Sequence, residues 1–346
     1  MLVGPCRDIG AEALASVVGW VDGCLLIDTG AGDGSFEAMC AAAGPKAIPS
    51  AWTWTDDFAA ARNFSLDEAE RIGAGWAVTI DPDERLSVDG PSLRAFLRST
   101  EAGCILIPDA SRTYFKERIV RLPCPVRYVG PVHEAFAGYR VGTARYGDAH
   151  FTELPKSAEA LERKTRRDVA VLQRHTRTVR DDPRWFYYLG DGLQRLGRTD
   201  EAIAAFRSCW ELRGWAEESA WACYRAAECE LVRGRHHEVI DWCARGLTRH
   251  PGVAELPWLA AVAAYRAGRP ADAAAWARMS VALGKAGGAG GSVERIGFHH
   301  PPGEYEGPYD VLRFALRALG DAAGADRAEA DYLRAKAMRE GRAAPA

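Results

Sequence analysis

The sequence predicts two folds in one chain of 346 residues: an α/β unit over residues 1–154 and an all-helical repeat unit over residues 155–346. In the first half, short apolar runs alternate with helical or loop stretches, a pattern typical of a mostly parallel sheet flanked by helices. Beyond Leu154 the chain is dominated by Ala, Leu, Arg and Glu and loses strand-like alternation. Glycines then recur at a regular interval, which indicates stacked helices.

The strands of the first half are predicted from its apolar runs. Four runs have the length and composition of buried strands: residues 1–6, 24–27, 76–80 and 104–107. Two later runs, 114–120 and 126–132, predict a less regular extension of the same sheet.

The second half repeats with a period typical of helix pairs. Gly197, Gly234 and Gly268 are spaced 37 and 34 residues apart, and small or apolar residues follow each at similar offsets. The stretch 189–206 closely resembles the tetratricopeptide pattern. A glycine permits the tight turn between two helices, so this repeat needs no ligand to explain it.

Aromatic residues in the repeats exceed what stacking requires. Most are expected in the core, but some could line a concave face that binds a peptide or protein. The residues concerned are Trp185, Tyr187, Tyr188, Trp210, Trp215, Trp221 and Tyr224.

A glycine-rich stretch, residues 284–292, interrupts the repeats and predicts a flexible loop before His299 and His300. The histidine pair could bind a metal ion. Because its neighbours are prolines and the sequence offers no carboxylate or cysteine at ligand spacing, an ordinary loop is the favoured interpretation.

Composition and charge exclude several classes of function. With 48% hydrophobic and 26% charged residues the chain is globular, and a net charge of −3 provides no field to attract nucleic acid. Nine cysteines at irregular positions argue against a disulfide framework or a zinc site. Neither a leader pattern nor an apolar run of about 18 residues occurs. We expect a cytoplasmic protein with no nucleic-acid partner and no transmembrane segment.

Residues 81–84 (DPDE) place two carboxylates two positions apart at the end of the predicted strand 76–80. Open α/β sheets bind ligands at such ends. Close carboxylates repel each other unless a cation relieves them, and oxygen ligands suit Mg²⁺ or Mn²⁺. On this motif alone a solvated acidic turn is favoured, because Asp-Pro-Asp is ordinary loop composition. The rest of the chain shifts the interpretation towards a metal-assisted phosphate site.

Three segments in order carry a resemblance to a known family. Residues 25–35 (LLIDTGAGDGS) and 56–65 (DDFAAARNFS) resemble two motifs of the family-two glycosyltransferases, and residues 81–84 occupy the family's Asp-x-Asp position. The chain is most similar to the cytoplasmic subgroup with a tetratricopeptide tail, which includes peptide S-glycosyltransferases acting on bacteriocins. The resemblance implies a GT-A fold for the first half.

The resemblance also implies a divalent metal, Mn²⁺ or Mg²⁺, that neutralises the departing diphosphate of a nucleotide sugar. Asp83 is its first expected ligand, and Asp81 is expected to bind the metal or the donor. His150 or His133 is expected to complete the site. A histidine in such a place is also commonly a packing or hydrogen-bonding residue.

Glu134, in the Val-His-Glu of residues 132–134, is implied as the base of an inverting transfer. A carboxylate in that role takes the proton of the acceptor while the acceptor attacks the sugar. The alternative is that His133 and Glu134 form a hydrogen-bonded pair that closes a strand end.

Four residues are expected to contact the donor. Asp8 and Asp28 close the first two predicted strands, and Asp33 lies in a glycine-rich turn that allows close backbone approach. Arg62 offers a planar, permanently charged group suited to diphosphate oxygens. A surface salt bridge within its own segment is the alternative for Arg62.

The sequence therefore predicts a metal-dependent inverting glycosyltransferase that moves a sugar from a nucleotide-diphosphate donor, expected to be a UDP-sugar, to a peptide or protein held by the repeats. Two alternatives stay open. One is a transferase acting on a glycan or lipid-linked saccharide, and the other is a non-catalytic scaffold with a decayed transferase domain. Fold analogy alone does not decide among them.

Overall fold

A computed structural model describes residues 1–111, 114–137, 142–285 and 297–342. The chain forms two compact units, residues 1–161 (unit 1) and 162–346 (unit 2). The sequence placed the division slightly earlier, after residue 154. Most of the predicted glycine-rich loop, residues 286–292, lies outside the described residues.

Unit 1 combines short strands with four helices among its described residues. The strands are β1 (Leu2–Val3), β2 (Cys24–Asp28), β3 (Ala47–Ala51), β4 (Trp76–Val78), β5 (Glu84–Val88), β6 (Cys104–Pro108), β7 (Phe115–Arg121), β8 (Arg127–Val129), β9 (Ala135–Ala137), β10 (Thr143–Arg145) and β11 (Ala149–Glu153). The helices are α1 (Gly10–Ala15), α2 (Ser35–Ala43), α3 (Phe58–Arg71) and α4 (Gly90–Ser99), with a 3₁₀ turn at Gly44–Lys46.

These strands form four small sheets rather than one. The order β1-β2-β3 is parallel, whereas β10-β6-β7-β4 is mixed and the pairs β5-β11 and β8-β9 are antiparallel. The prediction of one mostly parallel sheet is therefore wrong. The chain between β6 and β7 spans only 109–114, and a connection that short favours antiparallel pairing, since parallel neighbours need a crossover of a dozen residues or more.

The six predicted strands are all present, although some are shorter than their apolar runs. The run 76–80 forms a strand only as far as Val78, and residues 81–83 make the turn that leads into β5. A core of fully buried aliphatic and aromatic side chains, including Leu93, Ile105, Ile119 and Phe151, lies beneath this part of the unit. The turn 81–83 is thus held between Ile80 and Leu86, which are both part of this core.

Helices are the only regular secondary structure among the described residues of unit 2. Its helices, with the long helix that leads into them, are α5 (Ala158–Thr178), α6 (Pro183–Arg195), α7 (Thr199–Leu212), α8 (Ala216–Val232), α9 (His236–Arg249), α10 (Glu255–Arg266), α11 (Pro270–Leu283), α12 (Pro301–Glu304), α13 (Gly307–Ala318) and α14 (Ala322–Arg339). None of the described helices in either unit is both long and apolar enough to cross a membrane.

The helix pairs α6–α7, α8–α9 and α10–α11 confirm the predicted repeat. Each pair turns on a glycine with a positive φ, +72° at Gly197 and +71° at both Gly234 and Gly268, a conformation that favours glycine. The pair α13–α14 turns in the same way on Gly320, at φ +81°. The glycine period missed this fourth pair because the long connection between α11 and α12 displaces it along the sequence.

Candidate functional site

The turn between β4 and β5 carries two of the predicted metal ligands. The Asp83 carboxylate lies 2.5 Å from Nζ of Lys156. The Asp81 carboxylate contacts the guanidinium groups of Arg62 and Arg118, at 2.9 and 3.2 Å. Both aspartates therefore face cations that belong to unit 1 itself.

Arg62 joins Asp81 to Glu134, two residues that the sequence assigned to different roles. It lies early in α3, whose first turn is capped because Asp57 Oδ1 accepts a hydrogen bond from the Ala60 N–H at 2.9 Å. Nη2 of Arg62 donates to both Asp81 oxygens at 2.9 and 3.0 Å, and Nε donates to Glu134 Oε1 at 2.5 Å. The alternative for Arg62, a salt bridge within the segment 56–65, is not the arrangement found, because its pairs are with Asp81 and Glu134. The Arg62 residue is only 6% exposed, whereas the carboxylates of Asp81 and Glu134 are partly exposed, so the pairs are half-buried.

A third carboxylate, with Lys116 and Arg118 as its cations, extends this arrangement. Glu84, only 1% exposed, accepts hydrogen bonds from Lys116 Nζ at 2.7 Å and from Arg118 Nη2 at 2.5 Å. Carboxylates and cations thus alternate along a chain of ion pairs that runs from Glu134 through Arg62, Asp81, Arg118 and Glu84 to Lys116. We call this set the ion-pair cluster: Arg62, Asp81, Glu84, Lys116, Arg118 and Glu134.

The cluster shifts the pKa values of four of its members, Asp81, Arg62, Lys116 and Arg118, towards their charged forms. Burial by itself would raise the pKa of Asp81, but Arg62 and Arg118 outweigh burial and hold that pKa well below the ordinary value of an aspartate. Burial likewise opposes the charge on Arg62, and the carboxylates of Asp81 and Glu134 nevertheless raise its pKa. Asp81 and Arg62 are therefore both charged at neutral pH and compensate each other.

The other predicted site residues lie on separate elements. Asp8 is exposed just before α1. Asp28 Oδ1 accepts a hydrogen bond from the Gly30 N–H at 2.8 Å, and Asp33 Oδ1 accepts one from the Ser35 N–H at 3.0 Å, so both stabilise the glycine-rich turn. His133 lies before β9 with φ +51°, and His150 lies in β11 opposite Ser87. Of the predicted set, the structure brings together Arg62, Asp81 and Glu134.

Unit 1 also contains a cavity of about 730 Å³. Its lining is mainly apolar and includes Leu26, Leu66 and Trp76, with Arg62 as the member shared with the ion-pair cluster. The turn that carries Asp81 and Asp83 does not line it. The cavity is therefore separate from the predicted metal site.

Among the described residues, one group of three ligating side chains is compact enough to hold a metal ion, and it lies in unit 2. Ligand atoms of Glu255, His299 and Glu304 all lie within 4.8 Å of one another. The sequence analysis did not connect Glu255 with His299, because the two residues are far apart in the sequence and only the fold brings α10 next to His299. The predicted Mn²⁺ or Mg²⁺ site at Asp81 and Asp83 stays a prediction.

A short extended segment, residues 297–300, crosses the first helices of three consecutive pairs in unit 2. The ring of Phe298 lies 5.0 Å from Tyr187 of α6, 5.6 Å from Trp215 and 6.0 Å from Trp221 of α8, measured between ring centroids. These are ordinary distances for attractive aromatic contacts.

The second ring of the segment follows two positions later. His300 stacks on Trp258 of α10 with the ring centroids 5.1 Å apart and the planes 15° from parallel, and it lies 6.2 Å from Tyr224. We call the surface that receives both rings the aromatic face: Tyr187, Trp215, Trp221, Tyr224 and Trp258.

Two buried glutamates beside the aromatic face bind the backbone of the segment. Glu217 Oε1 accepts hydrogen bonds from the N–H groups of Gly297 and Phe298, each at 3.1 Å, and Glu255 Oε1 accepts one from the N–H of His300 at 3.0 Å. The glutamates lie in the first turns of α8 and α10, where the helix dipole favours negative charge, and they are 2% and 0% exposed. Because a buried carboxylate is costly without donors, these contacts fix the segment in place.

The sequence analysis missed Glu217, Glu255 and Phe298. A signal was available for the two glutamates, because they are 38 residues apart and so recur at nearly the glycine period. No periodic signal marks Phe298, which lies in a connection. Four of the seven aromatic residues considered for a binding face, Tyr187, Trp215, Trp221 and Tyr224, do contact the segment.

No family model matches the chain, and no curated protein matches it. The chain is similar to a crystal structure of MamA, at 12% identity over 54% of this chain and 99% of that chain, with a TM-score of 0.42. It is similar to a MamA from Desulfovibrio magneticus RS-1, at 15% identity over 52% and 93%, with a TM-score of 0.39. It is also similar to YrrB, a TPR protein with an unusual peptide-binding site, at 14% identity over 50% and 84%, with a TM-score of 0.33.

These findings contradict the resemblance to the family-two glycosyltransferases. The structures that the chain is similar to are MamA and TPR proteins, and none of the three is a glycosyltransferase. The predicted family, the predicted sugar transfer and the prediction that the chain is an enzyme are therefore wrong. A tetratricopeptide-like helical region is present, whereas a GT-A domain is not shown.

Proposed function

We propose that this protein is an interaction scaffold in which the aromatic face of unit 2 binds an extended segment of a partner protein. One observation carries the proposal: an extended segment already lies on this face, held through both its backbone and its side chains. A surface that satisfies backbone N–H groups with fixed acceptors and receives alternate side chains has the features of a peptide-binding site.

The backbone contacts are suited to binding rather than to core packing alone. Glu217 and Glu255 accept three backbone N–H groups between them, and these acceptors are indifferent to the side chains of the bound segment. The neighbouring rings of Tyr187 and Trp221 then select an aromatic side chain. Backbone acceptors thus supply affinity, and the rings supply specificity.

The proposed scaffold belongs in a reducing compartment, which we propose is the cytoplasm. All nine cysteines are free, and eight of them are buried. Proteins exposed to oxidising conditions more commonly pair their cysteines in disulfides.

A displayed peptide library tests the proposed function. Random decapeptides on phage are panned against the full chain and against its Phe298→Ala variant, and we expect enrichment of peptides that contain aromatic residues. In the Phe298→Ala background, where the chain's own segment is weakened, adding Glu217→Ala should lower the affinity for the enriched peptides about tenfold or more, since a hydrogen bond to a charged group is worth about 1.5–3 kcal/mol.

Glu201→Ala is the matched control, because Glu201 is an exposed glutamate in the first turn of a second helix, α7. It should leave peptide binding unchanged. The proposed function is overturned if neither chain enriches any peptide, or if the enriched peptides respond equally to the two glutamate variants.

A further inference from the structure

The connection that carries the bound segment is far longer than the repeat requires. Helix α11 ends at Leu283 and α12 begins at Pro301, so 17 residues separate them, whereas 3 residues suffice within each of the pairs α6–α7, α8–α9 and α10–α11. Connections longer than about 12–15 residues are uncommon in compact domains and are usually either functional or linker segments. Joining two helices does not explain this one.

Both described ends of the connection meet at one carboxylate. Glu304 lies 3.4 Å from Nζ of Lys285 at the start of the connection, and 3.1 Å from Nδ1 of His299 at its end. The Lys285 and His299 side chains are 47% and 34% exposed, so these contacts are weaker than buried ones. They bring residues 297–300 to the aromatic face while leaving the strongest contacts of the segment to the face itself.

We infer that residues 297–300 are an intramolecular ligand of the aromatic face, and that the partner displaces them with an extended segment of the same kind. This inference rests on the proposed function, because it assigns the occupant and the partner chemistry of that same site. The partner segment carries an aromatic residue, then any residue, then a second ring-bearing residue.

The geometry of the segment defines this pattern. His300 has extended backbone angles, φ −124° and ψ 91°, and residues two positions apart in an extended chain point to one side. Phe298 and His300 accordingly contact the aromatic face, while the side chain of His299 contacts Glu304. The middle position is therefore not selected by the rings.

The two glutamates add a backbone requirement. N–H groups must be present at the positions that correspond to Gly297, Phe298 and His300, because Glu217 and Glu255 accept from them. Proline has no N–H group and is excluded from those three positions. The chain also lies close to Trp258 just after the segment: a Cβ atom on Gly303 would lie 2.8 Å from the Trp258 ring, so a larger residue would clash there.

Occupation by the chain's own segment sets the affinity for any partner. A tethered segment competes at an effective concentration on the order of millimolar. When the site is open only a fraction of the time, the apparent dissociation constant of an external peptide rises by the inverse of that fraction. Weakening the internal segment should therefore strengthen binding from outside.

A synthetic fluorescent peptide with the sequence of residues 297–303, GFHHPPG, provides the probe. Its affinity is measured by fluorescence anisotropy for the wild-type full chain and for the Phe298→Ala and His300→Ala variants. We expect both variants to bind the peptide about tenfold or more tightly than wild type, as for a site that is open about a tenth of the time in the wild type. Phe314→Ala, which removes a half-exposed ring from α13, is the control and should bind as wild type does.

The peptide itself carries the second test. Replacing the phenylalanine of the peptide by alanine removes the ring that contacts the aromatic face, and methylating its backbone nitrogen removes the N–H group from which Glu217 accepts a hydrogen bond. Each change should abolish the tighter binding of the peptide to the two variants. Circular dichroism of each variant must retain the wild-type helical signal. Equal affinity for wild type and both variants overturns the intramolecular ligand. If affinity is equal but library peptides still bind in a manner sensitive to Glu217→Ala, the proposed scaffold function stands without the intramolecular ligand. If the library peptides also fail to bind, the proposed function is overturned.

Discussion

The two units bury carboxylates in different ways. In unit 1 the ion-pair cluster surrounds each buried carboxylate with guanidinium or ammonium groups from the same unit. In unit 2, Glu217 and Glu255 are met by backbone N–H groups of residues 297–300, which lie in a connection between helices. Side chains of unit 1 neutralise the carboxylates of the ion-pair cluster. Glu217 and Glu255 of unit 2 instead accept hydrogen bonds from the segment 297–300.

This difference teaches how neighbouring acidic residues should be interpreted. Two aspartates at the end of a strand can be neutralised by cations of the same unit, as Arg62 and Lys156 show here. Glu217 and Glu255 are a different case, because they accept backbone N–H groups that another peptide can also supply. The second arrangement is the better candidate for binding.

Removing the central cation of unit 1 should have the largest effect. Arg62→Met leaves the half-buried carboxylates of Asp81 and Glu134 without their shared partner, and we expect the free energy of unfolding of unit 1 to fall by about 3 kcal/mol. Urea denaturation followed by amide NMR signals of unit 1 measures this loss. Arg71→Met is the matched control, because its pair with Glu68 is at the surface and should contribute little to stability. Similar losses in the two variants would show that the cluster does not stabilise the unit.

The two units should also respond to pH with opposite signs. The depressed pKa of Asp81 means that its contribution is present above the pKa of an unfolded aspartate and is lost as the pH falls through acid values. In unit 2, burial raises the pKa of Glu218 from 4.5 to about 7, with Arg184 only partly opposing it. Its contribution is therefore complete below pH 4.5 and is lost as the pH rises through 7.

Urea denaturation at a series of pH values, followed by NMR signals of each unit, measures both trends. Unit 1 should weaken as the pH falls below about 4. Unit 2 should weaken between about pH 5 and 8, by at most about 3 kcal/mol from Glu218, and Glu218→Gln should flatten that slope. An unchanged slope in Glu218→Gln would assign the pH dependence of unit 2 to another group.

The smallest predicted effect is local to the aromatic face. Glu217→Ala removes the acceptor of two backbone N–H groups, so amide hydrogen exchange at Gly297 and Phe298 should accelerate as if the opening free energy fell by about 2 kcal/mol. Glu201→Ala should leave these amides unchanged. Equal protection in the two variants would mean that Glu217 does not hold the segment.

Local signals in the sequence predicted a large part of the fold. The turns at Gly197, Gly234 and Gly268 were predictable because a left-handed backbone strongly favours glycine, whatever the tertiary context. Strands such as β2 and β6 were predictable from apolar runs that must be buried. How the strands pair was not predictable, since pairing depends on connections and partners rather than on the strands themselves.

The candidate sites show the limit of the same reasoning. Residues 81–84 do lie in a turn after a strand, but the sequence could not show that Arg62 lies between Asp81 and Glu134, which are 53 residues apart. Motif order suggested a transferase, and the comparisons contradict it. The aromatic residues of the repeats indicated a binding face, while its occupant had no periodic signal.

By itself, the sequence determined that the chain has a strand-rich unit followed by paired helices, because burial and turn conformation act over a few neighbouring residues. The tertiary structure alone decided which charges meet and which segment lies on the aromatic face. Ion pairs and backbone hydrogen bonds form over about 3 Å, and the fold brings Glu217 to Phe298 across 81 residues of chain. No local pattern encodes a contact of that kind.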